Sequence, residues 1–440
     1  NLFEAWIRES GDPDKPLREW LREGAPAGID IHPESVGVFP PSVEEPLRDF
    51  ALTQCHDESC NYTSMDDSDS GYDILAELVD AGYVDRFDNL ASAQHALQVD
   101  AIATSKLALL TTTKDGVLKH RLILDCRVSG ATGATTKQDM LLLPQVWDVV
   151  NDALTLKSEL KGYARIFFFV CDFKDAFCKL PLRPKERKYF AAAYNCQIHL
   201  WKRIGQGSLN GPSLFGILSS FVGRVTQSLI PVDEGRVHIF VDDPILTLRA
   251  EQTRAIRLVA IVCMTWLVLG FDLAFHKGQF GEAVTWIGYT LTCTASGVSA
   301  KVKEEFMNTF ANLTAETLSK SMIGVKTLTS YTGKANHAAS ILFSWRPFLD
   351  ALWAAVAKSN NALRKGRAPR RCIWVKQIKA SVSWLALFMK LSPGALSREW
   401  SMTHFTANAS DLTITLDASP WGLGGILSQR GAITHYISTP

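Results

Sequence analysis

Phe240-Val241-Asp242-Asp243 decides how this chain reads: two adjacent carboxylates stand where a short apolar strand, Val237 to Val241, runs out. Ionised neighbours at ~4 Å repel by about 1 kcal/mol even in water and by more in a dry cleft, so such a pair calls for a compensating cation or a solvated turn. A third aspartate favours the cation. Asp172 closes another apolar strand, Arg165-Ile-Phe-Phe-Phe-Val-Cys171. Three carboxylates on two strand ends can share two magnesium ions.

Working outward, a loop with two glycines and a proline, Gln206-Gly207-Ser-Leu-Asn-Gly211-Pro212, opens an amphipathic helix over Ser213 to Ser228. Such a junction leaves backbone N–H groups free to meet an anion or a base. Upstream, Ser105 to Thr112 and Leu118 to Leu124 predict a β-hairpin around Lys114-Asp115-Gly116. Lys114 and Arg121 lie on it, a point charge and a planar fork that both suit a triphosphate, although either alone is more often a solvated surface charge. Helices are expected over Tyr72 to Ala81, Leu90 to Val99, Pro144 to Leu156 and Glu251 to Leu269, with a second hairpin at Tyr189 to Tyr194 and Gln197 to Trp201. Beyond His276-Lys277 and a strand pair around Thr285 to Thr290, the tail from Lys301 to about Leu396 reads as mostly helical. Leu412 to Leu416 then starts a strand that ends in Asp417.

At 440 residues the chain should divide into two to four domains, and 47% hydrophobic with 21% charged residues describes an ordinary protein able to bury cores. The net charge of +1 points to no partner, but its distribution is uneven. Between Glu44 and Asp100 many acids face only Arg48 and Arg86, whereas Lys161 to Arg203 is strongly basic and suits a polyanion. A second basic run, Arg364 to Arg371, suits one too. The nine scattered cysteines read as reduced thiols of an intracellular, not secreted, protein, and Cys55, His56 and Cys60 lack the second ligand pair of a zinc site. With no signal peptide and no initial Met, the expectation is a piece of a longer polyprotein. The apolar run Leu258 to Phe271 is too short for a span, so no membrane partner is expected. Residues 1 to about 70 read as loose, with a short helix near Leu17 to Leu21, and the triplet Asp69-Ser70-Gly71 lacks the apolar flanking strands of an aspartic protease.

In this order and spacing the pieces resemble the reverse transcriptases of retroviruses and retrotransposons over roughly residues 85 to 300. Asp172-x-x-x-Ala176-Phe177 looks like the first palm motif, Gln206-Gly207 through Pro212-x-x-Phe215 the second, and Phe240-Val-Asp242-Asp243 the third. His276-Lys277 resembles the fourth, Trp286-Ile-Gly288-Tyr289 the primer grip, and Lys114 and Arg121 with Asp125-x-Arg127 the triphosphate-binding fingers hairpin. Thr327 to His337 resembles more weakly a thumb helix of some retrotransposon polymerases, including the tyrosine-recombinase (DIRS-like) group. Leu412 to Leu427 looks like the first strands of a ribonuclease H domain, with Asp417 its first metal ligand. The carboxylates that site needs from later strands do not follow before Pro440, so ribonuclease H activity is not expected of these residues.

The resemblance implies an α+β right-hand polymerase. Its expected parts are a loose acidic region at 1–84, fingers at 85–205 with the first palm strand at about 165–180, palm at 206–300, thumb and connection helices at 301–410, and a ribonuclease H-like start at 411–440. It implies RNA- and DNA-templated addition of dNTPs to a primer 3′-hydroxyl with two Mg2+ ions, Mn2+ substituting. Asp172 and Asp242 would hold the metals, Asp243 would support them, and Lys277 would protonate pyrophosphate. Because neighbouring strand residues point to opposite faces, Asp242 and Asp243 are expected to be unequal, with Asp242 the closer ligand. Lys114, Arg121, Gln206 and Gly207 would bind the incoming nucleotide, and the Phe177 ring would collide with a ribose 2′-hydroxyl, which disfavours an RNA-templated RNA polymerase. The rival reading is a decayed copy that binds nucleic acid without catalysis. Pro244, directly after the Asp pair, speaks for it, because a missing backbone donor there is expected to bulge the returning strand.

Overall fold

The computed structural model describes residues 2–42, 61–66, 68–114, 117–159, 164–364, 372–391, 396–406, 412–419, 422–429 and 431–439. Sheets and helices are segregated rather than alternating, so the fold is α+β as expected. The organising strand is Arg165–Val170. It sits between Asp243–Ala250 and Gln279–Gly281 in an antiparallel sheet of four, with Gly235–Phe240 at the far edge.

Alternation along that strand explains its unbroken apolar run. Phe167 and Phe169 face one hydrophobic core, which includes the helices Gly211–Ser228 and Gln252–Val268. Ile166, Phe168 and Val170 face a second core, built on Val146–Ser158 and the helices of the tail. A strand buried on both faces has no polar positions to give, which is why period-two patterning is missing from Arg165 to Cys171.

A five-stranded sheet runs in the order Val84–Phe87, Gln197–Trp201, Ala191–Tyr194, Thr104–Lys114, Val117–Asp125. The predicted hairpin is its last pair, in continuous register from Lys106↔Asp125 to Lys114↔Val117. A second four-stranded sheet joins Ala283–Trp286, Tyr289–Cys293, Gly297–Val302 and Ser397–Ser401. The tail is helical over Glu304–Ser319, Val325–Ala339, Arg346–Arg364 and Lys379–Leu391. Leu412–Ser419 extends past the expected strand end and pairs with Gly422–Gln429. Among the described residues no helix is long and apolar enough to cross a membrane.

The expectation of a loose N-terminal region is corrected for the described residues 2–42. Helices Leu2–Ser10 and Lys15–Glu23 bury Ile7, Leu17 and Trp20 in the first core. Buried polar contacts fasten the segment. The Glu186 carboxylate, wholly buried, accepts the backbone N–H of Ala27 (2.5 Å), Ile29 (3.0 Å), Asp30 (3.0 Å) and Ile31 (3.3 Å). Arg224 donates to both Asp12 and Asp14. Composition had hidden this, because the stabilising partners lie some 160 to 210 positions away along the chain.

The expected bulge at Pro244 is also corrected. Pairing runs without a shift through Phe240↔Asp243, Ile239↔Pro244 and His238↔Ile245. On the other side, pairing with Arg165–Val170 begins only at Val170↔Ile245, so the missing proline N–H takes nothing from that ladder. The zinc candidates Cys55, His56 and Cys60, and the basic run at 365–371, lie outside the described residues.

Candidate active site

The antiparallel register that makes Arg165–Val170 and Asp243–Ala250 neighbours brings their aspartates together at one edge of the sheet. Phe173 donates its N–H to the Asp242 carbonyl at 3.1 Å, tying the strand exit to the turn. That turn has only Val241 and Asp242 between the paired Phe240 and Asp243, and Val241 takes φ +58°. A two-residue hairpin turn demands positive φ, and a β-branched residue accepts it only under strain of about 1–3 kcal/mol.

The carboxylates crowd one another. Burial, then a hydrogen bond to Asp172 and the charges of Asp172 and Asp242, push the Asp243 carboxyl up to about 7. Its protonated form donates to Asp172, so it is Asp243 whose carboxyl is joined directly to the first-strand aspartate. Burial, followed by the charge of Asp172, also raises Asp242. Lys277, on the short turn Phe275–Lys277, forms an ion pair with Asp172. The three carboxylates are thus held by a proton and an ammonium. Among the described residues no cluster of His, Cys, Asp or Glu is already spread as a metal cage. Hard oxygen donors crowded enough to raise each other's pKa nevertheless fit a divalent cation, which would replace that proton and ammonium.

Asp242 and Asp243 open onto a cleft of about 1460 Å³, which Arg121, Phe177 and Gln206 also line. The charge of the exposed Arg121 opposes the rise of the Asp242 carboxyl, so the strand Val117–Asp125 reaches the carboxylate cluster electrostatically. Lys114 ends the preceding strand, and its side chain lies outside the description. Phe177 packs its ring on Phe215 at 5.5 Å. Gly207, at φ +113°, passes so close to the hairpin that a Cβ there would stand 2.1 Å from the Leu124 carbonyl oxygen, while the Gln206 carbonyl accepts the Leu124 N–H at 2.9 Å. Only glycine fits this approach.

Trp286 and Tyr289 are both 1% exposed, and their polar atoms point to neighbouring elements. The Trp286 indole donates to the Asp243 carbonyl at 2.9 Å. The Tyr289 hydroxyl bonds the His337 carbonyl (2.5 Å) and Ser340 Oγ (2.7 Å) at the end of the helix Val325–Ala339. Gly288 leaves room for the His337 ring, whose Nε2 would sit 3.0 Å from a Cβ there. Sequence reading had missed the indole bond, as well as Ser340 and Arg346, which line the cleft. Nothing in their local spacing marks them. Glu186 did carry a signal, as a lone acid inside Lys185-Glu-Arg-Lys188. Asp417 stands exposed on the strand Leu412–Ser419 and does not line the cleft.

Residues 120–291 match the family model described as reverse transcriptase (RNA-dependent DNA polymerase). The chain is 29% identical over 195 residues to the Gag-Pol polyprotein of avian reticuloendotheliosis virus, a match covering 42% of this chain and 15% of that protein. It is 31% identical over 130 residues to the Gag-Pro-Pol polyprotein of squirrel monkey retrovirus, covering 28% of this chain and 7% of that one. The chain therefore spans a small part of these relatives' length. Among solved structures, a foamy viral protease-reverse transcriptase in complex with dsDNA aligns with a TM-score of 0.49 and 16% identity, over 97% of this chain and 77% of that one.

Proposed function

We infer that this chain, which carries a reverse transcriptase domain at residues 120–291, is an RNA-directed DNA polymerase that extends a primer 3′-hydroxyl with dNTPs on an RNA or DNA template. The observation that carries the reading is the convergence of Asp172, Asp242 and Asp243 from two strand ends, Asp242 and Asp243 lining an open cleft, with Lys277 on Asp172 and Arg121 acting on Asp242. Asp172, Asp242 and Asp243 would hold two divalent cations, Mg2+ with Mn2+ as a substitute, whose charge supports ionisation of the 3′-hydroxyl and departure of pyrophosphate. Lys277, released from Asp172, would carry the proton that pyrophosphate takes up as the bond to the α-phosphorus breaks. Arg121, with Lys114, would neutralise the triphosphate. Phe177, firm against Phe215, would lie under the sugar and favour deoxynucleotides. The divisions at 85–205, 206–300 and 301–410 would then be fingers, palm, and thumb with connection.

The unbroken register through Pro244 removes the bulge that was one ground for reading a decayed copy. Extension of a DNA primer on an RNA template, with deoxynucleotides and magnesium, tests the reading beside an Asp242→Asn, Asp243→Asn double variant. We expect extension by the parent alone. A parent that binds the primer–template and fails to extend it would falsify the polymerase reading.

A further inference from the structure

The helix Gln252–Val268 is apolar on both of its faces. Inward it buries Ala255, Leu258, Val262, Cys263 and Trp266. The Trp266 ring lies 6.4 Å from that of Phe169 and 5.2 Å from that of Phe173, so the helix packs directly against the strand exit that carries Asp172. Outward it leaves Ile256 (51% exposed), Ile261 (40%), Met264 (57%), Leu267 (44%) and Val268 (67%) in solvent, with Ala260 and Arg257 exposed among them. A helix at a protein surface normally turns polar residues outward, and one that is apolar all round is normally covered. These five large side chains offer roughly 500 Å² per copy, so a two-fold pair would bury roughly 1,000 Å², the size at which a specific interface begins.

The order of residues on this face fits a second copy of itself. Ile256, Ala260, Met264 and Val268 recur every four residues, one row of a helix surface. Two such rows packed antiparallel, with the two-fold axis at the level of Val262, set Met264 of one copy over Ala260 of the other and Ile256 over Val268. The centre of the contact then matches large with small. The same arrangement brings Arg257 of each copy beside the last turn of the other's helix, where unpaired carbonyls and the exposed Asp272 carry negative charge. A parallel pairing would set Arg257 against Arg257. No residue of this helix lines the cleft of Asp242 and Asp243, so the pairing leaves that cleft open.

We propose that two copies of this chain associate through the outer face of Gln252–Val268, helix on helix and antiparallel. The association stands independently of the polymerase reading.

The test is sedimentation velocity of the full chain from about 1 to about 100 µM, where a reversible monomer–dimer equilibrium should appear. Met264→Glu enters the interface twice and should raise the dissociation constant at least thirtyfold, as a rough central-contact value. Met264→Leu conserves the apolar volume and should keep the parent's constant. Arg257→Glu should weaken the dimer by about fivefold, because it puts an acid beside the other copy's helix end. Since Met264 is exposed in the single copy, Met264→Glu should melt with the parent at about 1 µM, and the parent's melting temperature alone should rise with concentration. The strand Leu412–Ser419 also exposes Leu412, Ile414 and Leu416, so Leu416→Ser is the control and should dimerise as the parent does. A parent that stays monomeric throughout overturns the proposal. So does a dimer that survives Met264→Glu or is lost in Leu416→Ser.

Discussion

The Asp243 carboxyl is the most perturbed group of the carboxylate cluster, and the direction of its shift has a consequence for stability. Raised to about 7, it binds its proton more tightly in the folded chain than in the unfolded one. The stability it contributes is therefore full below the ordinary value of 3.8 and is lost as pH rises through about 7. In chelator, thermal unfolding of the parent should weaken over that window, and Asp243→Asn should melt higher than the parent at pH 8, by about 5 °C, with little difference at pH 4. Magnesium should raise the parent's melting temperature at pH 8 more than the variant's. Equal melting curves for parent and variant at pH 8 would show that the crowding is relieved in some other way. A site that is destabilised when empty is one that gains from a cation.

At the scale of elements, the turn between Ala283–Trp286 and Tyr289–Cys293 links two parts of the molecule. One end holds the Asp243 carbonyl through the Trp286 indole, and the other holds the helix Val325–Ala339 through the Tyr289 hydroxyl. A contact to the Asp243 backbone would position the carboxylate cluster without touching substrate. Trp286→Phe keeps a benzene ring but loses the pyrrole half of the indole and its hydrogen bond, the bond worth about 1 kcal/mol. Single-turnover extension should slow about fivefold with unchanged primer–template affinity. A variant that loses affinity and keeps its rate would instead make Trp286 part of the duplex-binding surface. The same element illustrates a limit of reading spacing alone. Trp286-Ile-Gly288-Tyr289 was legible as a motif because its residues are contiguous, whereas its anchors at Asp243 and His337 lie 43 and 48 positions away.

For the whole molecule, the N-terminal segment is a strap fastened to the first core. Asn210, at the entrance to the helix Gly211–Ser228, donates to the Ala27 carbonyl, and Glu186 gathers four backbone N–H groups of residues 27 to 31. Glu186→Gln puts an amide among donors and removes a charge-assisted set of bonds. A loss of about 2–3 kcal/mol should follow, read as a lower melting temperature and faster proteolysis between residues 15 and 31. Unaltered proteolysis would mean that the apolar packing of Leu17 and Trp20 holds the strap by itself.

The sequence by itself determined the chemistry-bearing strand ends, the hairpin of Lys114 and Arg121, and the order of helices and strands, because each rests on contiguous residues whose pattern is set by local physics. Asp172 and Asp242 could be related from sequence because both end apolar strands, although the sheet places Asp243–Ala250 between those two strands. Tertiary structure alone decided which carboxyl meets Asp172, since Asp242 sits in a turn where strand alternation no longer applies. It likewise decided that Pro244 costs no register and that the acid-poor stretch from Lys161 to Arg203 answers the chain's own acids. Each of these depends on which distant groups compete for the same donor or charge, and that competition exists only once the chain is folded.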